Sequence, residues 1–157
     1  MAIIATATTT AIAFVLGYGH TRYWAAMSQQ NVEIVERLVE AWDRGDLNAW
    51  LDLFDEHVVW VPVSEHPEPE ALHGREGVLT FAEHWMEPWD YYGFHTIDLS
   101  DHGDVVIWTA RHQGRQTGGV EMDTAMTAVF AFGLGRVVQV RWFWHREQAL
   151  EAVGVRE

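Results

Sequence analysis

The stretch Val120-Glu-Met-Asp-Thr-Ala-Met-Thr-Ala-Val-Phe-Ala-Phe132-Gly-Leu-Gly-Arg-Val-Val-Gln-Val-Arg-Trp-Phe-Trp144 decides the fold. Two runs rich in β-branched and aromatic residues flank Gly133-Leu134-Gly135, the pattern of a hairpin. If Phe132 pairs with Val137 across that turn, strict alternation puts Met126, Ala128, Phe130, Phe132, Val137, Gln139, Arg141, Phe143 and His145 on one face. The opposite face then carries Val129, Ala131, Val138, Val140, Trp142 and Trp144, so neither side could meet water comfortably. Helices are expected to cover one face and a second copy of the chain the other, which predicts a homodimer through the sheet. The face bearing Gln139, Arg141 and His145 mixes polar groups with aromatics, as the wall of a small-molecule pocket would. A one-residue slip in register would exchange the two faces and replace Arg141 by Trp142.

Working back from the hairpin, Tyr92 to Ser100 and Asp104 to Gln113 read as two further strands. Their turns fall at Asp101-His102-Gly103 and around Gly118-Gly119, and no room is left between them for crossover helices. The sheet is therefore expected to be antiparallel. The glycines from Gly114 to Gly119 lie between strands and read as a turn, not a phosphate loop. Upstream the period changes to that of helices. Val32, Val35, Leu38, Val39 and Trp42 recur at three-and-four spacing up to Arg44-Gly45. Asp46 is placed to cap a short second helix with Leu47, Trp50, Leu51 and Phe54 as its apolar stripe. His57 to Val61 reads as a strand limited by Pro62, and Ser64 to Leu72 as a solvated acidic loop. His73-Gly74 opens a third helix through Val78, Phe81, Ala82 and Trp85, closed near Pro88. Arg146 to Val153 is a short final helix. Helices first and a long sheet afterwards is the α+β order.

The chain has 157 residues, enough for one domain with a substantial core. Ten basic against 23 acidic residues give a net charge of −13, with no lysine, which argues against a nucleic-acid partner. The absence of cysteine excludes disulfides, thiolate metal sites and cysteine nucleophiles. Nine Trp, seven Phe and four Tyr leave aromatic surface as the main recognition material. Residues 1–26 contain an uncharged apolar run, but no basic residue precedes it and Arg22 follows it. They are expected to be an extension outside the fold, with a signal or anchor as the alternative, and residues 27–157 to form the domain, with no membrane association and a cytoplasmic location.

Several segments together resemble the SnoaL-like branch of the NTF2-like superfamily. They are Arg37-Leu-Val-Glu-Ala-Trp-Asp-Arg-Gly-Asp-Leu-Asn-Ala-Trp-Leu-Asp-Leu-Phe54, Leu72-His-Gly-Arg-Glu-Gly77, Gly135-Arg-Val-Val and Ala149-Leu-Glu-Ala-Val-Gly154. The likeness spans residues 30 to 154. It implies a cone in which a curved antiparallel sheet wraps around the N-terminal helices and encloses an apolar pocket, with dimerisation through the sheet. The superfamily the chain resembles contains ketosteroid isomerases, polyketide cyclases, dehydratases, epoxide hydrolases and pockets with no known reaction, so the site residues must decide the chemistry. The isomerase base would fall at Val61-Pro62-Val63, its oxyanion-hole tyrosine at Leu38 and its second acid near Thr127 or Ala128, and all three places lack the required group.

The candidates for catalysis are therefore His145 as the titratable group and Arg141 as the donor to an enolate, with Asp123 as an alternative acid or base. Trp42, Trp60, Trp85, Trp89, Tyr92, Phe130, Gln139 and Phe143 are the candidate ligand contacts. The nine histidines raise the possibility of a metal. His84 with Glu87, and His102 with Asp104, do not make a ligand framework, so no metal and no cofactor are expected. His66 and His73 flank the acidic loop, which could serve as a lid. The sequence thus leads to a pocket protein for a hydrophobic carbonyl-bearing metabolite, with acid–base cyclisation or isomerisation as its chemistry. A non-catalytic binding module is the alternative, and a protein-binding scaffold, with the cavity packed shut by tryptophans, is a third.

Overall fold

A computed structural model of the chain describes residues 28–64 and 70–156. Helix α1 runs through residues 28–43 and buries Ile34, Val35, Leu38 and Ala41, the stripe its spacing predicts. It ends at Gly45, whose φ of 69° suits the residue after a helix. Asp46 then caps α2 (Leu47–Asp52), accepting from the Ala49 N–H at 3.0 Å. Only Trp50 of that short helix is buried, and Phe54 already belongs to strand β1 (Phe54–Val61). Leu72–His73 forms a two-residue strand, β2, that leads directly into α3 (Gly74–Met86). The acidic loop expected as a lid, with His66, lies for the most part outside the described residues.

Four strands follow: β3 (Trp89–Asp101), β4 (Val105–Gln116), β5 (Glu121–Gly133) and β6 (Arg136–Phe143). Together the strands make one curved, open sheet in the order β2-β1-β6-β5-β4-β3. β3 to β6 are antiparallel neighbours, as the short turns require. The expectation of a wholly antiparallel sheet fails at one joint: β1 lies parallel to β6, pairing Val59 with Gln139 and Val61 with Arg141. A parallel neighbour needs a long connection, and between β1 and β6 the chain supplies one helix and three strands.

The deciding correction concerns the last hairpin. Phe132 does pair with Val137, but the next rungs join Ala131 to Gln139, Phe130 to Val140, Val129 to Arg141 and Ala128 to Trp142. Val138 is thus an extra residue, a β-bulge beside the turn that reverses every later side chain of β6. Its Cγ1 lies 3.0 Å from the point where a Cβ on Gly133 would sit, so the bulged side chain folds across the glycine. The inner face therefore carries Met126, Ala128, Phe130, Val140 and Trp142, and Gln139, Arg141 and Phe143 share the outer face with Val129.

That outer face needs less cover than the sequence suggests. Helix α4 (Arg146–Ala152) lays Ala149 and Leu150 over Ile107 and Val129, with Phe143 and Val153 packed alongside. Farther along the sheet the same face is laced by exposed cross-strand ion pairs, Arg111 with Asp123 at 2.6 Å and Arg115 with Glu121 at 3.0 Å. Trp142 and Trp144, expected on the face toward a second copy of the chain, line the interior instead. Among the described residues no helix is long and apolar enough to cross a membrane. Residues 1–26, expected to be an extension, lie outside the described residues.

The β5–β6 turn carries a local strain. Gly133 pairs with Arg136, leaving Leu134 and Gly135 as a two-residue loop with φ of 52° and 77°. Positive φ at both central positions is the type I′ pattern that Asn-Gly satisfies best. Leu134 pays the left-handed penalty with its side chain wholly in solvent. Leu134→Asn is expected to raise stability by about 1 kcal/mol, read as a higher urea midpoint at unchanged slope.

Candidate functional site

The inner faces of the helices and sheet enclose a cavity of about 280 Å³. By liquid volume that is room for about nine waters, the bulk of a small one- or two-ring organic molecule. Six rings close a circuit around it. Trp60 of β1 meets Phe81 of α3 at 5.4 Å between centroids, Phe81 stacks on Trp85 at 6.2 Å, and Trp85 meets Tyr92 of β3 edge-on at 5.8 Å. Tyr92 meets His112 of β4 at 5.8 Å, His112 meets Trp142 of β6 at 5.6 Å, and Trp142 returns to Trp60 at 5.8 Å. All six line the cavity, so the scaffold reading, which predicts an interior packed shut, does not hold. These separations are those at which aromatic pairs attract beyond their buried area.

Of the sequence candidates, Trp42, Trp60, Trp85, Tyr92 and Phe130 line the cavity, and Trp89, Gln139 and Phe143 do not. Trp89 lies over Gly114, where a Cβ would come within 2.6 Å of its ring, so the glycine within β4 serves close packing of that indole. None of the three catalytic candidates reaches the cavity. Arg141, turned outward by the bulge, holds its guanidinium 5.2 Å from the Phe143 ring centroid. It borders a second, more polar recess of about 410 Å³ with Ser64 and Gln148. His145 is the exposed N-cap residue of α4, its backbone N–H donating to Gln148 Oε1 at 3.2 Å. Asp123 is exposed on the outer face, where the hydrogen bond from Arg111 holds its carboxyl below the usual range. Among the described residues no group of three or more His, Asp or Glu side chains could hold a metal ion.

The residue missed by sequence reasoning is His112. Strand β4 alternates Val106, Trp108, Ala110 and His112 inward with Arg111, Gln113 and Arg115 outward, so a period of two alone would have placed this imidazole inside. It is 3% exposed, and burial lowers its pKa to about 4, which leaves it neutral at pH 7. Its Nδ1 is hydrogen-bonded to the Tyr92 hydroxyl. Burial pushes that phenol up to about 12, against a hydrogen bond from Trp85 that acts the other way. An indole can only donate, so Tyr92 Oη accepts from Trp85 and its own proton is free for His112 Nδ1. The other imidazole nitrogen, Nε2, is buried and has no protein partner among the described residues. Trp60 Nε1 and Trp142 Nε1 are buried without a partner in the same way. Such orphans cost about 1–3 kcal/mol each.

The depressed pKa of His112 has a consequence for stability. Unfolded, the imidazole would take up a proton near pH 6.5; folded, it does so only near pH 4. The unfolded state therefore binds more protons between these values, and stability falls as pH drops through that window. Urea melts of the wild type are expected to lose about 3 kcal/mol more than those of His112→Gln between pH 7 and pH 4. Parallel losses in the two proteins would place the imidazole in contact with water.

The comparisons agree with this geometry. No curated protein matches the sequence. Among solved structures, an NTF2-like protein of unknown function from Burkholderia pseudomallei superposes with a TM-score of 0.68 at 18% identity, covering 78% of this chain and 95% of that one. A proposed SnoaL-like polyketide cyclase from a Jannaschia species gives 0.67 at 23% identity, covering 82% and 94%. Rv0760c of Mycobacterium tuberculosis, in complex with estradiol-17β-hemisuccinate, gives 0.65 at 15% identity, covering 75% and 95%. The model of the SnoaL-like domain matches residues 35–140, and with two thirds of its length inside that match the chain belongs to the SnoaL-like domain family.

Proposed function

We propose that the protein binds a flat, hydrophobic small molecule of one or two rings inside the cone. The observation that carries this reading is the closed circuit of six rings around a cavity of about 280 Å³. Flat ring faces favour flat ligands, and an apolar wall gives its binding energy mostly through area removed from water. That a structurally similar mycobacterial protein carries a steroid derivative supports the same use of the fold.

Acid–base cyclisation or isomerisation is the second reading, and the buried Tyr92–His112 pair is what favours it. Such chemistry works best with a group that titrates near the operating pH. His112, held to about 4, is a weak base, and Tyr92, held to about 12, is a weak acid. No carboxylate lines the cavity, so binding without turnover is the better supported of the two.

Naphthalene is expected to bind one-to-one and to quench the intrinsic tryptophan fluorescence saturably. Ala82 lies on α3, is 4% exposed and borders the cavity. Ala82→Leu, which fills space there, should weaken binding by about tenfold or more while the circular dichroism spectrum is kept. Undiminished binding in the filled variant would move the ligand elsewhere on the molecule. Deuterium exchange into the carbonyl-adjacent methylene of 1-tetralone, accelerated by the wild type and not by His112→Phe, would favour the catalytic reading instead.

A further inference from the structure

We infer that the recess beside the outward-turned Arg141 is a second binding site, separate from the cavity, which takes a small ring-bearing carboxylate with the Arg141 guanidinium as its anchor. The inference goes beyond the cavity reading and does not depend on it. It starts from how the chain uses its partly buried arginines. Among the described residues these are Arg75, Arg141 and Arg146. Arg75 donates to the Phe54 carbonyl at 2.9 and 2.7 Å, and Arg146 pairs with Asp98 at 3.4 Å. Arg141 has no such oxygen: its guanidinium rests over the Phe143 ring, and among the described residues it makes no hydrogen bond or ion pair. A ring engages the charge but not the N–H groups, so the five donors keep their capacity. They are also open to a ligand, because the buried side-chain nitrogens without a partner belong to Trp60, His112 and Trp142, and Arg141 contributes none.

The surroundings of Arg141 set the class of ligand. The parallel pairing of β1 with β6 ends at Val61 and Arg141, and the recess of about 410 Å³ is bordered by the segments that continue from there, residues 61–64 and 141–144, with Gln148 of α4. The chain holds 23 acidic residues, yet none of the described ones lines this space, so the cation faces it without a neutralising carboxylate. Gln148 Oε1 already accepts from the His145 N–H, which leaves the donor end of that amide for a ligand. A carboxylate matches both needs, since it brings the missing charge and its two oxygens fit the planar guanidinium fork. Val61, Val63 and the rings of Phe143 and Trp144 supply apolar area beside the charge, which favours an acid with a ring over a bare anion. A net charge of −13 repels anions from the surface at large, so capture depends on this local cation. Pro62, Val63, Trp142 and Trp144 border the cavity as well, and only Arg141, Ser64 and Gln148 therefore report on the recess alone among its polar residues.

The test titrates the full chain at pH 7 with benzoate, with benzamide, which keeps the ring and replaces the charge by a neutral amide, and with acetate, which keeps the charge and drops the ring. Benzoate is expected to bind one-to-one and about tenfold more tightly than either. It should also move the Arg141 Nε–H signal and the backbone amides of Ser64 and Gln148 in a ¹H–¹⁵N spectrum. Arg141→Gln should lose the preference for benzoate over benzamide with its circular dichroism spectrum kept, and Arg141→Lys, which retains the charge without the fork, should fall between the two. Equal affinity of the wild type for benzoate and benzamide, or benzoate binding undiminished in Arg141→Gln, would overturn the anchor. Acetate as tight as benzoate would overturn the ring-bearing class. Bound benzoate that leaves the Arg141, Ser64 and Gln148 signals unmoved would overturn the recess as its site, and no binding of benzoate would overturn the inference outright. Naphthalene titrations score the cavity separately, so a failure of that reading leaves this result standing.

Discussion

The single extra residue at Val138 is the constraint on which the interior depends. Two demands meet in the last hairpin. The I′ loop at Leu134-Gly135 fixes Phe132 opposite Val137, while the polarity of the strands asks for Gln139 and Arg141 on the side of Glu121 and Asp123. Under unbroken alternation these demands contradict each other, and inserting one residue satisfies both. The energetic balance is plain. A bulge gives up a ladder hydrogen bond, net about 1 kcal/mol. Turning Trp142 inward buries about 100 Å² of ring even when half covered, which at about 25 cal/mol/Å² contributes ~2.5 kcal/mol. Trp144, which follows on the same face, adds to the same side.

Once the tryptophans of β6 face inward, the ring circuit closes, because Trp142 is the link between β1 and β4. The wall is then held by contacts between α3, β1, β3, β4 and β6, and no single element forms the pocket alone. The cavity can persist because these large planar groups brace one another across it; smaller, more flexible side chains would collapse into the space. The buried His112 fits this setting only because its environment removes its charge. A protonated imidazole among tryptophans would lack both water and a carboxylate partner, and the chain responds by holding it neutral and binding Tyr92 to one nitrogen.

Most of the scaffold was legible in the sequence because it follows from local periodicity. The stripe of α1, the Asp46 cap, the His73-Gly74 start of α3 and the three tight turns all rest on neighbours within a few residues. The parallel joint between β1 and β6 was not legible, since nothing local to His57–Val61 states which strand it will meet. The candidate ligand contacts divide for the same reason. Trp42, Trp60, Trp85 and Tyr92 sit on elements whose facing is set by their own period, and they line the cavity. Arg141, Gln139 and Phe143 were assigned across the turn by counting, and one bulge reversed them all. The signal for the bulge was present in the mismatch between turn register and strand polarity. His112 also carried a signal, in the alternation of β4, that was passed over in favour of histidines near the strand ends.

The family provides a cone, and the chemistry depends on what this chain has placed within it. Leu38, Pro62 and Val63, where the resemblance to the superfamily's isomerases would put a tyrosine and an aspartate, border the cavity, and all three are hydrocarbon here. Buried nitrogens without a partner among the described residues sit instead on Trp60 of β1, His112 of β4 and Trp142 of β6. Acids and donors differ in what they can do in a dry cavity. A carboxylate can take a proton from carbon; an indole N–H can only stabilise an oxygen that is already there or is gaining charge. Low polarity strengthens that stabilisation, since the same dipole acts with less screening than in water. Proton removal from carbon would fall to His112, held neutral by burial, because no carboxylate lines the cavity.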